Sequence, residues 1–170
     1  MIKRLQTKLV LILVVLSILS MAVVGVVLVN ATINFYSDDF FRQMDSFFSP
    51  DMIETLKEAA SADFTGDELF STLTLYSSSL GIDTYRNLYI FTENGSFKVG
   101  TNPQLGQTFK KTQNLINAIA GKESVPTDIS ESYMDYATTV TGNNGTKYII
   151  YIKDTKQEAR DLSWVLIIII

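Results

Sequence analysis

The sequence contains neither cysteine nor histidine. Without cysteine the chain can form no disulfide and no thiolate metal site. Without histidine it lacks the commonest general base, the commonest metal ligand and any histidine phosphoacceptor. No nucleophile–base pair, phosphate-binding loop or set of metal ligands stands out among the other residues. The sequence therefore predicts no catalytic activity, no cofactor and no metal site for this chain.

Charge is absent from one long stretch near the N-terminus. Residues 9–29 carry no charged side chain, and 16 of these 21 residues are Leu, Val or Ile. As a helix they cover roughly 30 Å, the thickness of a hydrocarbon core. Lys3, Arg4 and Lys8 precede them, and positively charged flanks favour the cytoplasmic side. We therefore predict a cytoplasmic segment (1–8) and a transmembrane helix (9–29).

A cleaved signal peptide is the alternative interpretation of this stretch. The basic residues at the start of the chain are compatible with a signal peptide and with a retained helix. The apolar run is longer than the roughly 7–15 residues of a signal-peptide core, and Val29-Asn30-Ala31 is a poor cleavage site. The retained helix is therefore the preferred interpretation.

Basic residues are scarce in the rest of the chain. Setting aside the three N-terminal cations leaves 11 basic residues against 18 acidic ones, a net charge of −7. This charge argues against a nucleic acid partner, because nucleic-acid binding requires cations that neutralise phosphates. We expect residues 30–161 to form an extracytoplasmic domain, and the lipid bilayer to be the partner of the apolar helix.

Glycine and proline are both absent from residues 156–170, a stretch in which Trp164 precedes six apolar residues. The preceding Thr155-Lys156-Gln157-Glu158 matches a capping box, with Thr155 as N-cap. We predict a helix that leaves the domain here. Residues 162–170 would be the truncated start of a second transmembrane helix, anchored by Trp164 at the interface. A terminal β-strand is the alternative.

The first half of the predicted domain has a helical pattern. Large apolar residues recur at spacings of three and four in Phe40, Phe41, Met44, Phe47 and Phe48. Ser49-Pro50 predicts the N-cap and first residue of a second helix. The tetrapeptide Thr65-Gly66-Asp67-Glu68 matches a capping box for a third.

The second half has a strand pattern. Segments 87–91 and 96–100 flank Asn94-Gly95, which predicts a type I′ hairpin turn. A short helix (113–120) ends before Gly121, and segments 131–140 and 146–154 flank a second turn at 142–145. The last strand is apolar on both faces, so we expect it to be central. The pattern predicts an α+β domain with four or five antiparallel strands and helices on one side.

The order of these elements and their membrane flanks resemble the N-terminal sensor region of bacterial membrane sensor histidine kinases. The domain resembles their extracytoplasmic PAS-like, or single Cache, module. Four segments carry the resemblance: Asn87-Leu88-Tyr89-Ile90-Phe91-Thr92-Glu93-Asn94-Gly95, Asn114-Leu115-Ile116-Asn117-Ala118-Ile119-Ala120-Gly121-Lys122, Tyr133-Met134-Asp135-Tyr136-Ala137 and Tyr148-Ile149-Ile150-Tyr151-Ile152.

The resemblance implies a bacterial cell-membrane location and a homodimer whose domain senses an unknown small ligand or an extracytoplasmic protein. It also implies that the parent is a histidine kinase whose catalytic core lies beyond residue 170. Chemoreceptors and diguanylate cyclases carry similar input modules, so they remain alternatives. A membrane-anchored adaptor that binds a protein partner is the alternative from another class.

The resemblance further suggests that cations on the first hairpin grip a small anionic ligand. We therefore select Arg86 and Lys98, together with Tyr136, as candidate ligand-binding residues. Solvated strand-end charge is the alternative for the two cations, and ordinary strand packing is the alternative for the tyrosine. Thr155, Glu158 and Trp164 are the candidate signal-transmitting connector. An acidic helix face at Asp38, Asp39 and Asp45 is interpreted as solvated rather than as a metal site.

Overall fold

The computed structural model describes residues 2–62, 64–108, 110–128 and 130–169. The described residues form seven helices and four strands: α1 (Ile2–Phe47), α2 (Pro50–Ala62), α3 (Asp67–Leu75), α4 (Ser77–Leu80), β1 (Arg86–Thr92), β2 (Phe97–Gly100), α5 (Pro103–Gln107), α6 (Gln113–Ile119), β3 (Met134–Thr141), β4 (Lys147–Asp154) and α7 (Gln157–Ile169). The chain divides into two compact units. We call Met1–Tyr36 with Glu158–Ile170 the helical unit, and Ser37–Gln157 the sheet unit.

In the helical unit, α1 begins as an apolar helix that buries none of its most apolar stretch. The segment Gln6–Phe47 contains an 18-residue window of mean hydropathy 3.1. The large apolar side chains from Leu9 to Leu28 are between 40% and 64% exposed. By length and composition this helix could cross a membrane, a property that an N-terminal signal sequence shares.

The C-terminal segment is helical, so the alternative of a terminal strand is wrong. Helix α7 begins at Gln157, and Lys156 has φ 57°. Lys156 therefore lies before the helix, and is not its first residue as the capping box at Thr155 predicted. Ile170, the last residue of the predicted second membrane segment, lies outside the described residues.

In the sheet unit, the four strands form one antiparallel sheet in the order β2-β1-β4-β3. The central position predicted for the last strand is confirmed, because β4 pairs with β1 on one edge and β3 on the other. The α+β architecture with a long N-terminal helix and a four-stranded antiparallel sheet is likewise confirmed.

Helices cover both faces of the sheet, so the expectation of helices on one side is wrong. On the front face, Leu88, Ile90 and Ile150 pack with Met44 of α1 and Leu56 of α2. On the back face, a second cluster joins the sheet to α6; its buried members are Tyr89, Phe91, Leu115, Ala118, Ala137, Ile149 and Tyr151. The cause is in the sequence, because strands that are apolar on both faces need cover on both.

Both hairpins turn through the same three-residue geometry instead of the type I′ turn predicted for the first. Gly95 has φ 74° and Gly145 has φ 81°, whereas Asn94 and Asn144 keep negative φ. The Gly95 N–H donates to Thr92 O at 2.8 Å, and the Gly145 N–H donates to Gly142 O at 2.9 Å. This is a type I turn followed by a left-handed glycine, which adds a bulge residue to the hairpin.

Several helix ends differ from their predictions. Helix α2 begins at Pro50 as expected. The N-cap of α3 is Gly66 and not Thr65, whose hydroxyl instead donates to Asp67 Oδ2 at 2.7 Å. The short helices α4 and α5 were not predicted, although Asn102 followed by a proline is a helix-start signal.

The end of α6 is as predicted. Gly121 has φ 70°, and the Lys122 N–H donates to Asn117 O at 2.8 Å while the Gly121 N–H donates to Ala118 O at 3.1 Å. These two bonds form a Schellman motif, which satisfies the last carbonyls of the helix.

Candidate functional site

Arg86 lies at the start of β1 on the front face, where groups of the chain itself hold its guanidinium. Its Nε donates to Asp154 Oδ2 at 2.9 Å, and one terminal nitrogen donates to Gln43 Oε1 at 2.8 Å and to Leu80 O at 2.9 Å. The guanidinium carbon also lies 4.9 Å from the centroid of the Phe40 ring. A ligand at Arg86 would have to compete with all of these groups.

Tyr136 lies on the front face of β3 and is 8% exposed. Its ring stacks on Phe48, with centroids 5.7 Å apart, and meets Phe41 edge-on at 5.5 Å. Burial, followed by the nearby carboxylate of Asp45, raises the pKa of the Tyr136 hydroxyl to about 12. The surroundings of Tyr136 are those of a core residue with a hydrogen-bonded hydroxyl.

Lys98 lies on β2 with an exposed side chain, and its Nζ donates to Phe64 O at 3.3 Å. Arg86 lies opposite Asp154 at one end of β1, whereas Lys98 adjoins the Phe91–Phe97 pair at the other end. At about 3.3 Å per residue, five residues separate these positions by roughly 16 Å along the strand. The structure therefore does not bring these two candidate cations together.

The three predicted connector residues lie at the end of β4 and on α7. The Thr155 N–H donates to Tyr85 O at 3.1 Å, which ties the end of β4 to the residue before β1. Glu158 lies in the first turn of α7, where a carboxylate is favoured by the helix dipole. Trp164 is 65% exposed within the helical unit.

The back face holds a buried polar cluster that the sequence analysis did not select. Its centre is the carboxylate of Asp135, a residue that is 2% exposed. Asp135 Oδ1 accepts hydrogen bonds from Thr127 Oγ1 at 2.6 Å and Asn114 Nδ2 at 3.0 Å. The Tyr151 hydroxyl donates to Asp135 Oδ2 at 3.1 Å and accepts from Thr112 Oγ1 at 3.1 Å. Burial, followed by the charge of Asp135, raises the pKa of Tyr151.

Lys153 is the cation next to this cluster. It lies directly opposite Asp135 in the β3–β4 register and opposite Asn87 in the β1–β4 register. Its Nζ is 4.4 Å from the centroid of the Tyr133 ring. Burial lowers the pKa of Lys153, and the carboxylates of Asp135 and Glu131 counteract that shift. The side chain is thus a partly desolvated cation beside two carboxylates.

A small cavity adjoins Lys153. Its volume is about 130 Å³, and its lining residues are Asn87, Tyr89, Leu105, Lys153 and Thr155. A water molecule occupies about 30 Å³ in the liquid, so the space suits a ligand of a few heavy atoms. The lining is mostly apolar, but three of these residues, Asn87, Lys153 and Thr155, carry polar groups of the kinds that bind small anions.

No metal site accompanies this cavity among the described residues, where no three His, Cys, Asp or Glu side chains cluster in a way that could hold an ion. Comparison of the chain with protein-family models, with curated proteins and with solved structures gives no match.

Proposed function

We propose that this chain is the membrane-anchored sensor region of a bacterial two-component histidine kinase. In this proposal α1 holds the chain in the membrane, the sheet unit detects a signal outside the cytoplasm, and α7 carries the response back. The kinase core of such a protein would follow residue 170. Chemoreceptors and diguanylate cyclases would use the same arrangement with a different output.

The observation that carries the proposal is the short connection between the sheet and α7. Strand β4 is bonded on both edges and largely buried, and it ends at Asp154. Helix α7 begins at Gln157, so only two residues lie between the strand and the helix. A connection this short cannot absorb a shift of the central strand, so the shift would also displace the start of α7. Displacements on the order of 1–2 Å are enough to bias a helix that has two stable positions.

The cavity beside Lys153 supports the sensing part of the proposal, because Lys153 belongs to this same strand. A small anion held there would bind one position of β4 more tightly than another. That differential affinity is what a ligand needs in order to shift a conformational equilibrium. We therefore propose Lys153 as a ligand-contacting residue, in competition with the earlier selection of Arg86 and Lys98.

Thermal melting of the full chain with small anions tests this site. We expect formate, acetate or nitrate to raise the melting temperature relative to chloride at equal ionic strength, because a ligand that binds only the folded state stabilises it. The rise should disappear in Lys153→Met. It should persist in Lys147→Met, a matched control that removes the same charge from the same strand outside the cavity.

Two results would argue against the cavity. Loss of the rise in Lys147→Met as well would indicate charge screening at the surface. If the rise in melting temperature were lost in Lys98→Met but kept in Lys153→Met, the anion would bind at the first hairpin and not in the cavity.

A further inference from the structure

Lys156, the residue that precedes α7, combines two unusual properties. It is the non-glycine residue with positive φ among those that the structure describes, at 57°, and it is only 4% exposed. A side chain with a Cβ disfavours this left-handed conformation, so the surrounding structure must hold it in place. The backbone N–H of Lys156 donates to Asp154 Oδ1 at 2.7 Å.

The side chain of Lys156 is held by the segment between α6 and β3, which we call the strap (residues 122–128 and 130–133). Its Nζ donates to Glu131 O at 2.9 Å and to Asp128 O at 3.4 Å. Within the strap, the Ser130 N–H and hydroxyl both donate to Asp128 Oδ1, and the Glu131 N–H donates to Asp128 O.

The other end of the strap is fixed to β3 and α6 by side chains. Ser124 Oγ donates to Ala137 O and accepts from the Ala137 N–H, both at 2.8 Å. The Asn114 amide makes two 2.9 Å bonds with the backbone of Val125. These bonds replace a neighbouring strand on the outer edge of β3.

Thr127 connects the strap to the buried carboxylate cluster. Its Oγ1 donates to Asp135 Oδ1 and accepts from the Asp135 N–H at 3.1 Å. Asp135 faces Lys153 across the β3–β4 pair. Hydrogen bonds and the strap backbone therefore connect Asp135, the register partner of the cavity-lining Lys153, to Lys156, the residue that precedes α7.

We propose that the strap and Lys156 form a latch that holds Thr155 and Lys156, the two residues between β4 and α7, in one backbone conformation. With the strap closed, its carbonyls hold the Lys156 ammonium and keep the backbone in its left-handed conformation. With the strap released, Lys156 relaxes to an ordinary φ and the connection to α7 changes conformation. The latch deepens the proposed function, on which its purpose rests, by naming a regulatory route from the candidate site to α7.

Hydrogen–deuterium exchange of the full chain in lipid nanodiscs tests the latch, and it requires neither a bound ligand nor an output domain. The reporters are the strap amides and the amides of Thr155 and Lys156, both of which are hydrogen-bonded within the sheet unit. Thr127→Val removes the strap's bond to the Asp135 carboxylate. We expect it to raise exchange at least about tenfold in the strap and at Thr155 and Lys156 together, because the latch opens as one unit.

Asn144→Ala is the matched control. It removes two side-chain bonds at the other end of the sheet unit, from Asn144 Nδ2 to Ser61 O at 3.1 Å and from the Thr146 N–H to Asn144 Oδ1 at 2.9 Å. Exchange at Thr155 and Lys156 should stay at the wild-type rate in this variant. The latch is overturned if Thr127→Val opens the strap with no change at Thr155 and Lys156, or if Asn144→Ala raises exchange there equally.

Two substitutions at Lys156 separate the ammonium from the backbone. Lys156→Met removes the ammonium but keeps a Cβ, so the backbone at position 156 remains strained at positive φ. Both the strap amides and the amides of residues 155 and 156 should therefore exchange faster. Lys156→Gly removes the ammonium but tolerates positive φ, so the strap should open while these two amides stay protected. Equal exchange in the two variants would contradict the latch. Because no ligand is present, failure here leaves the sensing proposal intact, and failure to bind anions leaves the latch intact.

Discussion

At the scale of single residues, Asp135 is the most constrained group of the sheet unit. Its buried carboxylate accepts hydrogen bonds from Thr127, Asn114 and Tyr151. A buried donor that loses its acceptor costs about 1–3 kcal/mol. Loss of this carboxylate would therefore leave several buried donors of the back face without an acceptor.

Replacement of Asp135 by alanine should destabilise the sheet unit by roughly 3 kcal/mol, because several buried donors lose their acceptor at once. Asp135→Asn should cost less, about 1 kcal/mol, since its amide oxygen still accepts from Thr127 and the Tyr151 hydroxyl can turn toward Thr112. Urea unfolding of the full chain in detergent, followed by far-ultraviolet circular dichroism, measures both. Equal losses in the two variants would show that the hydrogen bonds are not the cause.

Tyr136 predicts how stability depends on alkaline pH. Its pKa is raised to about 12 in the folded chain, chiefly by burial, against about 10 in an unfolded chain. The folded state then holds the proton longer, so this contribution is complete below pH 10 and is lost as the pH rises toward 12. We expect the free energy of unfolding to fall by up to about 1.4 kcal/mol per pH unit in this window.

Tyr136→Phe should remove that part of the slope and leave the part due to the other tyrosines whose pKa is raised by burial, Tyr89, Tyr133 and Tyr151. Chemical unfolding at a series of pH values between 9 and 12 measures it. A slope unchanged in Tyr136→Phe would contradict the assigned cause.

Residue roles were harder to predict from the sequence than residue environments. Arg86 was selected for its charge, but its carboxylate partner is 68 residues away along the chain. Lys153 lies at the end of a strand that reads as an apolar core strand, and the residues beside it along the chain do not mark it as a site residue. In both cases the groups that neutralise or desolvate the cation come from other elements, and a single sequence does not state which elements meet.

At the scale of elements, the hairpin turns set which side chains meet. A two-residue turn at Asn143-Asn144 would place Asp135 opposite Ile152. The left-handed Gly145 adds one residue to the turn, so the partner is Lys153 instead. The sequence predicted the strands and the position of the turn. It did not predict the bulge, and a shift of one residue moves every side chain to another partner.

Two glycine substitutions compare the cost of backbone strain in a turn with the cost of crowding in a strand. A Cβ on Gly145 would meet nothing within 4 Å, so Gly145→Ala should cost only the backbone strain of φ 81°, roughly 1 kcal/mol. A Cβ on Gly100 would lie 2.6 Å from Tyr89 Cδ1 and 2.8 Å from Leu88 O. Gly100→Ala should therefore cost about 3 kcal/mol, because the strand must move. Thermal melting of both variants gives the order, and a larger loss for Gly145→Ala would contradict it.

Helix positions followed from the sequence where capping and periodicity agreed. The α6 terminus at Gly121 and the start of α2 at Pro50 are examples. The second covered face was implied by strands apolar on both sides, but the helix that covers it is only seven residues long. Packing against a sheet, and not intrinsic propensity, stabilises a helix this short.

At the scale of the whole molecule, the chain enters and leaves the sheet unit through helices that belong largely to the helical unit. Helix α1 is continuous from the apolar N-terminal stretch to Phe47, and α7 follows the sheet's central strand after two residues. In the proposed function, α1 lies in a bilayer and α7 carries the response of the sheet unit back to it. The proposed function therefore depends on where α1 resides.

Fractionation of bacterial cells that express the full chain tests this claim most directly. After a carbonate wash, we expect the intact polypeptide to stay with the membranes, and protease added to unlysed spheroplasts to degrade residues 37–157. An intact chain in the soluble fraction, a mature N-terminus near Ala31, or a sheet unit that protease reaches only after lysis would contradict the account.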